Sequence, residues 1–213
     1  MPCDHSKQKQ DSAAAILLAS GFSKRFGGQN KLLLPFRGKP LARYTLELAA
    51  AQEFSGRKFS VGVFFIAASD DVAALAKDLP GVTVIKNLSP EKGQRESVRL
   101  GVEAAAADYY MFFVCDQPLL DEDTVGRILE ARRQGCIVEP RYKGRPGNPC
   151  LFSNCFREEL LSLREGETPR LIKERHKEAI RGIEVSPLAL RDIDDMRTLE
   201  QLLEQTLNLP PLT

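Results

Sequence analysis

The stretch Ala13-Ala-Ala-Ile-Leu-Leu-Ala-Ser-Gly-Phe-Ser-Lys-Arg-Phe-Gly-Gly-Gln-Asn-Lys31-Leu-Leu-Leu-Pro35 decides the fold. Its apolar run, Ala13 to Ala19, stops abruptly at Ser20-Gly21. A short apolar run ended by a turn signal reads as a strand buried on both faces, as in a parallel sheet. The loop beyond it is rich in Gly, Ser, Lys and Arg. Glycines let backbone N–H groups come close to an anion, and cations neutralise it. A strand running into such a loop is how many α/β proteins hold phosphates at the carboxyl edge of a sheet. The loop matches neither G-x-x-x-x-G-K-[ST] nor G-x-G-x-x-G. A basic surface loop is the alternative, but Arg25 and Lys31 set among Gly21, Gly27 and Gly28 favour phosphate.

Outward from this stretch, apolar runs rich in Val, Ile and Phe predict strands over 59–67, 82–85, 109–114, 136–140 and 180–185. Helical spacing predicts helices over 40–52, 70–77, 95–107, 121–133, 154–163, 169–176 and 196–205. Alternation of this kind implies right-handed βαβ units. The expectation is one α/β, Rossmann-like domain over 13–213, a mainly parallel sheet with helices on both faces. Residues 1–12 read as a disordered tail. Residues 140–155 break the alternation and read as an insertion near the site or at a subunit contact.

Composition narrows the function. The net charge of +1 gives no global field to recruit nucleic acid or an anionic membrane. No apolar run approaches the ~20 residues a bilayer span needs. The first twelve residues have no apolar core and read as no secretory signal. The five cysteines form no C-x-x-C pair, which fits a reduced, cytoplasmic setting. Cys3 with His5 reads as an incidental pair on the tail. A monomer or weak homo-oligomer is expected.

Chemistry concentrates at a few positions. Asp116 lies just past the apolar run 109–114, at the carboxyl edge beside the first loop. Mg²⁺ takes one or two carboxylates plus phosphate oxygens. Asp121, Asp123 and Thr124 are on hand to cap the following helix, which frees Asp116 for a ligand. Asp194 stands just before a predicted helix, where an aspartate caps the helix and complements its dipole. Gly93, Arg95 and Ser97 open a helix after a turn, where unpaired N–H groups favour an anion or a base carbonyl. A solvated charged turn is the alternative there.

Leu18-Ala19-Ser20-Gly21, Ser23, Arg25-Phe26-Gly27 and Lys31-Leu32-Leu33 resemble the signature of nucleotidyltransferases that open L-A-[AG]-G-x-[SG]-x-R-[MF]-G. The molybdenum cofactor cytidylyltransferases are the nearest branch. Cys115-Asp116-Gln117-Pro118 resembles the family's D-x-P metal motif, and Asp192-Ile-Asp194 its D-I-D segment, with departures from Asp195 to Thr198. The spacing G-x-R-x-S-V-x-x-G from Gly93 to Gly101 resembles the base-recognition segment of the methylerythritol cytidylyltransferases. Gly147-Asn148-Pro149 resembles a G-H-P loop with Asn in place of His, and the segment ending at Arg170 resembles G-D-x-G-A-R.

The resemblance implies a nucleotide-diphospho-sugar transferase-like fold and transfer of CMP from CTP to a molybdopterin-type acceptor, releasing pyrophosphate. A recipient molybdoenzyme would follow. Lys31, Arg25 and Asp116 would be catalytic. Leu18, Ala19, Ser20, Gly21, Ser23, Asn87, Gly93, Arg95 and Ser97 would hold the nucleotide. Gly147, Asn148 and Arg170 would touch the acceptor, and Asp116 with Asp194 would bind Mg²⁺ or Mn²⁺. Guanylyl-transferring relatives carry L-A-G-G, so Ser20 points to a pyrimidine. Transfer to another phosphomonoester, guanylyl transfer, and non-catalytic nucleotide binding or cofactor delivery are the competing expectations.

Overall fold

A computed structural model describes residues 11–21, 26–27, 29–51, 53–54, 57–58 and 60–206. The chain begins with β1 (Ala13–Ala19), then a short hairpin of β2 (Pro35–Phe36) and β3 (Lys39–Pro40), and α1 (Leu41–Ala50). A second hairpin, β4 (Glu53–Phe54) with β5 (Arg57–Lys58), precedes β6 (Gly62–Ala67), α2 (Asp70–Ala73) and β7 (Val82–Lys86). Next come α3 (Gln94–Ala104), β8 (Tyr109–Val114), α4 (Glu122–Glu130) and β9 (Ile137–Tyr142). The last part holds β10 (Arg145–Pro146), β11 (Cys150–Ser153), α5 (Arg157–Leu161), α6 (Pro169–Arg175), β12 (Ile180–Glu184) and α7 (Met196–Thr206).

The main sheet runs β10-β9-β11-β8-β1-β6-β7, with β12 alongside β9. β1 is central and parallel to both β6 and β8, with Ile16 facing Phe64 on one side and Phe112 on the other. β11 alone inserts antiparallel between β8 and β9, pairing Leu151 with Met111 and with Val138. The interruption at 140–155 is therefore part of the sheet itself. Lys31–Leu33 form a 3₁₀ turn, because Asn30 caps it and Leu32 turns inward to be buried.

The period-two pattern explains why both sheet faces carry helices. Ala13, Ala15 and Leu17 point to one face, where they meet Leu46 of α1 and Ile128 of α4. Ala14 and Ile16 point to the other, where Val98 of α3 and Leu160 of α5 cover them. A β-carbon on Gly101 would collide with the Ile16 side chain. That glycine lets α3 lie close on β1.

A third, smaller core holds Phe26, Phe36, Leu41, Tyr44, Leu119, Ile193, Leu199 and Leu202. It sits beyond the carboxyl ends of the strands and fastens the 193 segment and α7 there. Among the described residues, no helix is long and apolar enough to cross a membrane.

Candidate active site

Three segments far apart in sequence meet at the carboxyl edge of β1 and β8. Asn30 caps the turn that carries Lys31 by accepting the Leu32 N–H at 3.1 Å. The Lys31 ammonium donates to Asp116 Oδ2 at 2.5 Å and to the Ile193 carbonyl at 3.1 Å, and lies 3.7 Å from Asp194 Oδ1. Ile193 is fully buried in the third core, and its N–H donates to the Asp116 carbonyl at 3.0 Å. One anchored isoleucine thus holds both the lysine contact and the aspartate that follows it.

Capping does not account for either aspartate. Asp121 caps α4 by accepting the Thr124 N–H at 2.8 Å, and Asp195 accepts the Thr198 N–H at 2.7 Å at the start of α7. Asp116 Oδ1 is buried with no hydrogen-bond partner among the described residues. A buried carboxylate oxygen left unpaired costs free energy, so a ligand that satisfies it is favoured.

Two carboxylates beside one another, one with an open oxygen, fit a hard divalent cation that takes its remaining ligands from water and phosphate. Among the described residues no group of three or more His, Cys, Asp or Glu side chains forms a metal cage. Asp192 adds negative charge nearby. It keeps exposed surface, yet atoms crowding its carboxyl, then the Asp116 charge, push its pKa up to about 6 against an opposing hydrogen bond from Gln117.

Beside this cluster lies a cavity of about 290 Å³ lined by Leu18, Ser20, Gly21, Lys31, Gly93, Gln94, Ser97 and Asp116, among others. The Ser20 hydroxyl donates to the Ile66 carbonyl at 3.0 Å, so it is held still against β6. Asn87 does not line the cavity. It is buried, and its Nδ2 donates to Ser97 Oγ at 3.1 Å while its Oδ1 accepts the Ser89 N–H at 2.9 Å. Its role is to orient Ser97. Ala19 points into the core, since it is the last inward residue of its face of β1. Arg95 also lies outside the lining, because at the first turn of α3 it is Gln94 and Ser97 that face the cavity. Arg25 and Ser23 lie outside the described residues.

A larger cavity, about 620 Å³, adjoins the first and shares Leu18, Gln94 and Val114 with it. Gly147, Asn148 and Arg170 line it. A β-carbon on Gly147 would come within 2.7 Å of Leu190 Cδ2, so only glycine lets that loop close over the 190 segment. The expected nucleotide and acceptor residues therefore fall mostly into two neighbouring cavities that touch across the ends of β1 and β8.

The model of the MobA-like NTP transferase domain matches residues 15–179. The chain belongs to this family. Among curated relatives, a molybdenum cofactor guanylyltransferase of Cupriavidus metallidurans is 31% identical over 123 residues, covering 57% of this chain and 56% of its own. The match thus spans little more than half that relative's length. Nicotine blue oxidoreductase of Paenarthrobacter nicotinovorans is 30% identical over 170 residues, covering 76% of this chain and 81% of its own. Among solved structures, Rv0371C from Mycobacterium tuberculosis H37Rv in complex with manganese superposes with a TM-score of 0.69 at 22% identity, covering 91% of this chain and 98% of that one.

In this MobA-like domain two polar residues of the larger cavity escaped the sequence reading. Glu139 and Lys173 both line it, paired at 2.9 Å. A glutamate inside the apolar run Ile137-Val138-Glu139 was one available signal. A lysine three residues after Arg170, on the same helix face, was the other. Neither signal names its partner, because the pairing spans thirty-four positions and depends on the sheet order.

Proposed function

We propose that this chain is a nucleotidyltransferase that moves CMP from CTP to the terminal phosphate of a molybdopterin-type acceptor carrying molybdenum. An acceptor phosphate oxygen bonds to the α-phosphorus in line. The bond from that phosphorus to the bridging α–β oxygen breaks, and pyrophosphate leaves. Such a transfer depends on positioning and charge neutralisation more than on a covalent intermediate.

The observation that carries this reading is the meeting of Lys31, Asp116 and Asp194 at the mouth of the smaller cavity. Lys31 supports charge growing on the α-phosphoryl group. Gly21, with no atom of the described residues within 4 Å of its missing β-carbon, leaves its backbone open to a phosphate. Ser97, held by Asn87, and Ser20, held by Ile66, face the base. Asp116 and Asp194 would hold Mg²⁺ or Mn²⁺, which neutralises phosphate charge when bound. The manganese complex of the structurally similar mycobacterial protein supports the choice of a divalent ion.

The base is cytosine in this reading because Ser20 fills, and holds still, a place where glycine would leave room for a purine. A second reading, guanylyl transfer to the same acceptor, is favoured by the name of the Cupriavidus relative. Pyrophosphate release measured with each of the four nucleoside triphosphates, with and without the molybdenum-loaded acceptor, separates them. Acceptor-dependent release with CTP is expected. Preference for GTP would select the second reading, and no acceptor-dependent release with any triphosphate would overturn both.

A further inference from the structure

Lys173 projects from α6 into the larger cavity, with a side chain only 17% exposed. Its ammonium has three N–H donors. One goes to Glu139 Oε2 at 2.9 Å and one to the weak acceptor Cys150 Sγ at 3.4 Å. Among the described residues, the remaining donor has no protein acceptor. Glu139, in contrast, has both oxygens engaged: Oε2 takes Lys173, and Oε1 takes Arg141 at 3.0 Å from Nε and 2.9 Å from Nη2. The glutamate is 3% exposed and so buried that it serves as a fixed brace.

The charge around the cavity is also lopsided. Arg170, Lys173 and Lys177 line it on the α6 side, against Glu139 and Glu174. Arg170 is occupied by Glu174 at 2.9 Å, and Glu139 is shared with Arg141, which lies behind it. What remains turned toward the cavity is positive. Leu18, Phe112, Val114, Phe152 and Ile180 give the cavity apolar walls, interrupted by the uncharged polar Gln94, Asn148 and Thr168. Apolar walls around a fixed, partly unsatisfied cation suit a flat or compact ligand body bearing one anionic group.

We propose that Lys173, braced by Glu139, is a subsite for a second anionic group of the acceptor, distinct from the phosphate that attacks the nucleotide. The term acceptor rests on the nucleotidyl-transfer reading above; the anion site itself does not. With its phosphate beside Lys31 and Asp116, an acceptor passes Leu18 and Val114 and lays its remainder in the larger cavity. The substrate class is therefore a phosphomonoester with a second negative charge at its far end. A neutral-bodied phosphomonoester leaves Lys173 without an ionic partner there.

The first test needs no turnover. Sulfate is titrated calorimetrically into the full chain and into Lys31→Ala, Lys173→Met and Lys173→Arg variants. A sulfate that Lys31→Ala still binds, that Lys173→Met binds about 10-fold more weakly or worse, and that Lys173→Arg recovers, supports the subsite. Sulfate binding that vanishes only with Lys31→Ala, or that Lys173→Met leaves unchanged, overturns it, as does no binding.

A second measurement separates anion binding from a merely structural pair. The double variant Glu139→Gln/Lys173→Met removes both buried charges and spares the fold a lone carboxylate. It is expected to keep the KM for the triphosphate within about 2-fold and raise the KM for the molybdenum-loaded acceptor by about 10-fold. An acceptor KM restored to the wild-type value by the double variant would overturn the proposal. If the wild-type chain shows no transfer at all, the functional reading fails, and the sulfate titration still decides the subsite.

Discussion

Two lysine–carboxylate pairs, one in each cavity, are built to opposite ends. Lys31 and Asp116 sit at a strand end with side chains 20% and 17% exposed, and Asp116 keeps one buried oxygen open. Lys173 and Glu139 sit deeper, and there both carboxylate oxygens are engaged while the ammonium keeps a donor open among the described residues. The first pair is short of a cation and the second is short of an anion. A salt bridge whose members were there only to stabilise the fold would leave neither gap, since unsatisfied buried polar atoms cost free energy without return. Under the proposed readings, this asymmetry makes each pair a place for a ligand.

The largest effect expected from breaking this contrast is at the first pair. Asp116→Asn keeps the shape and removes the charge. Turnover, read as pyrophosphate release, is expected to fall by about 1000-fold, and Lys31→Ala by about 100-fold or more. Stability in the same Asp116→Asn variant is expected to stay within about 1 kcal/mol, because Lys31 keeps the Ile193 carbonyl and Asp194 as partners. Normal turnover in Asp116→Asn would remove that aspartate from the mechanism.

The second pair should behave in the reverse sense. Glu139→Ala leaves Lys173 and Arg141 facing each other without their shared carboxylate. Breaking a buried pair from one side costs about 3 kcal/mol or more. In a chain of this size that lowers the midpoint of thermal unfolding by roughly 6 °C or more. A melting curve matching the wild type would show that the pair carries no such weight, and would end the contrast between the two sites.

How much of this was legible in the sequence follows the range of each interaction. β1, β8, Lys31 and Asp116 could be read because an apolar run, its abrupt end and the polar residue just past it are local facts. Asp194 could be read only as a candidate, since any aspartate before a helix can cap it. The structure gives the cap of α7 to Asp195 instead.

Arg95 stands outside the lining of the smaller cavity for a geometric reason: α3 begins at Gln94, and the first turn aims Gln94 and Ser97 at the cavity. The antiparallel entry of β11 was invisible, because nothing local in Cys150-Leu151-Phe152-Ser153 says which two strands it will join. With β11's place in the sheet hidden, the pairing of Glu139 with Lys173 was hidden too, although Gly147, Asn148 and Arg170 of the same cavity were legible as acceptor candidates. Gly101, placed by its spacing in a base-recognition segment, turns out to be a packing residue against Ile16. Gly101→Ala forces an added methyl into that contact and is expected to cost about 1–3 kcal/mol. Denaturant unfolding would measure it, and a neutral effect would mean that α3 can lift from β1 freely.

The smallest expected effect sharpens the contrast within the first cavity, between the part that handles phosphate and the part that chooses a base. Ser20→Gly removes a β-carbon and a hydroxyl that donates to the Ile66 carbonyl, and touches neither Lys31 nor Asp116. Space gained beside the base without loss of charge should change which triphosphate is used more than how fast phosphate chemistry runs. One small group in a pocket discriminates by about 10-fold. The ratio of kcat/KM for CTP over GTP is therefore expected to fall by about that factor, while the better substrate's turnover stays within about 3-fold. An unchanged ratio would relieve Ser20 of base selection and leave that task to Gln94 and Ser97, which face the same cavity from α3.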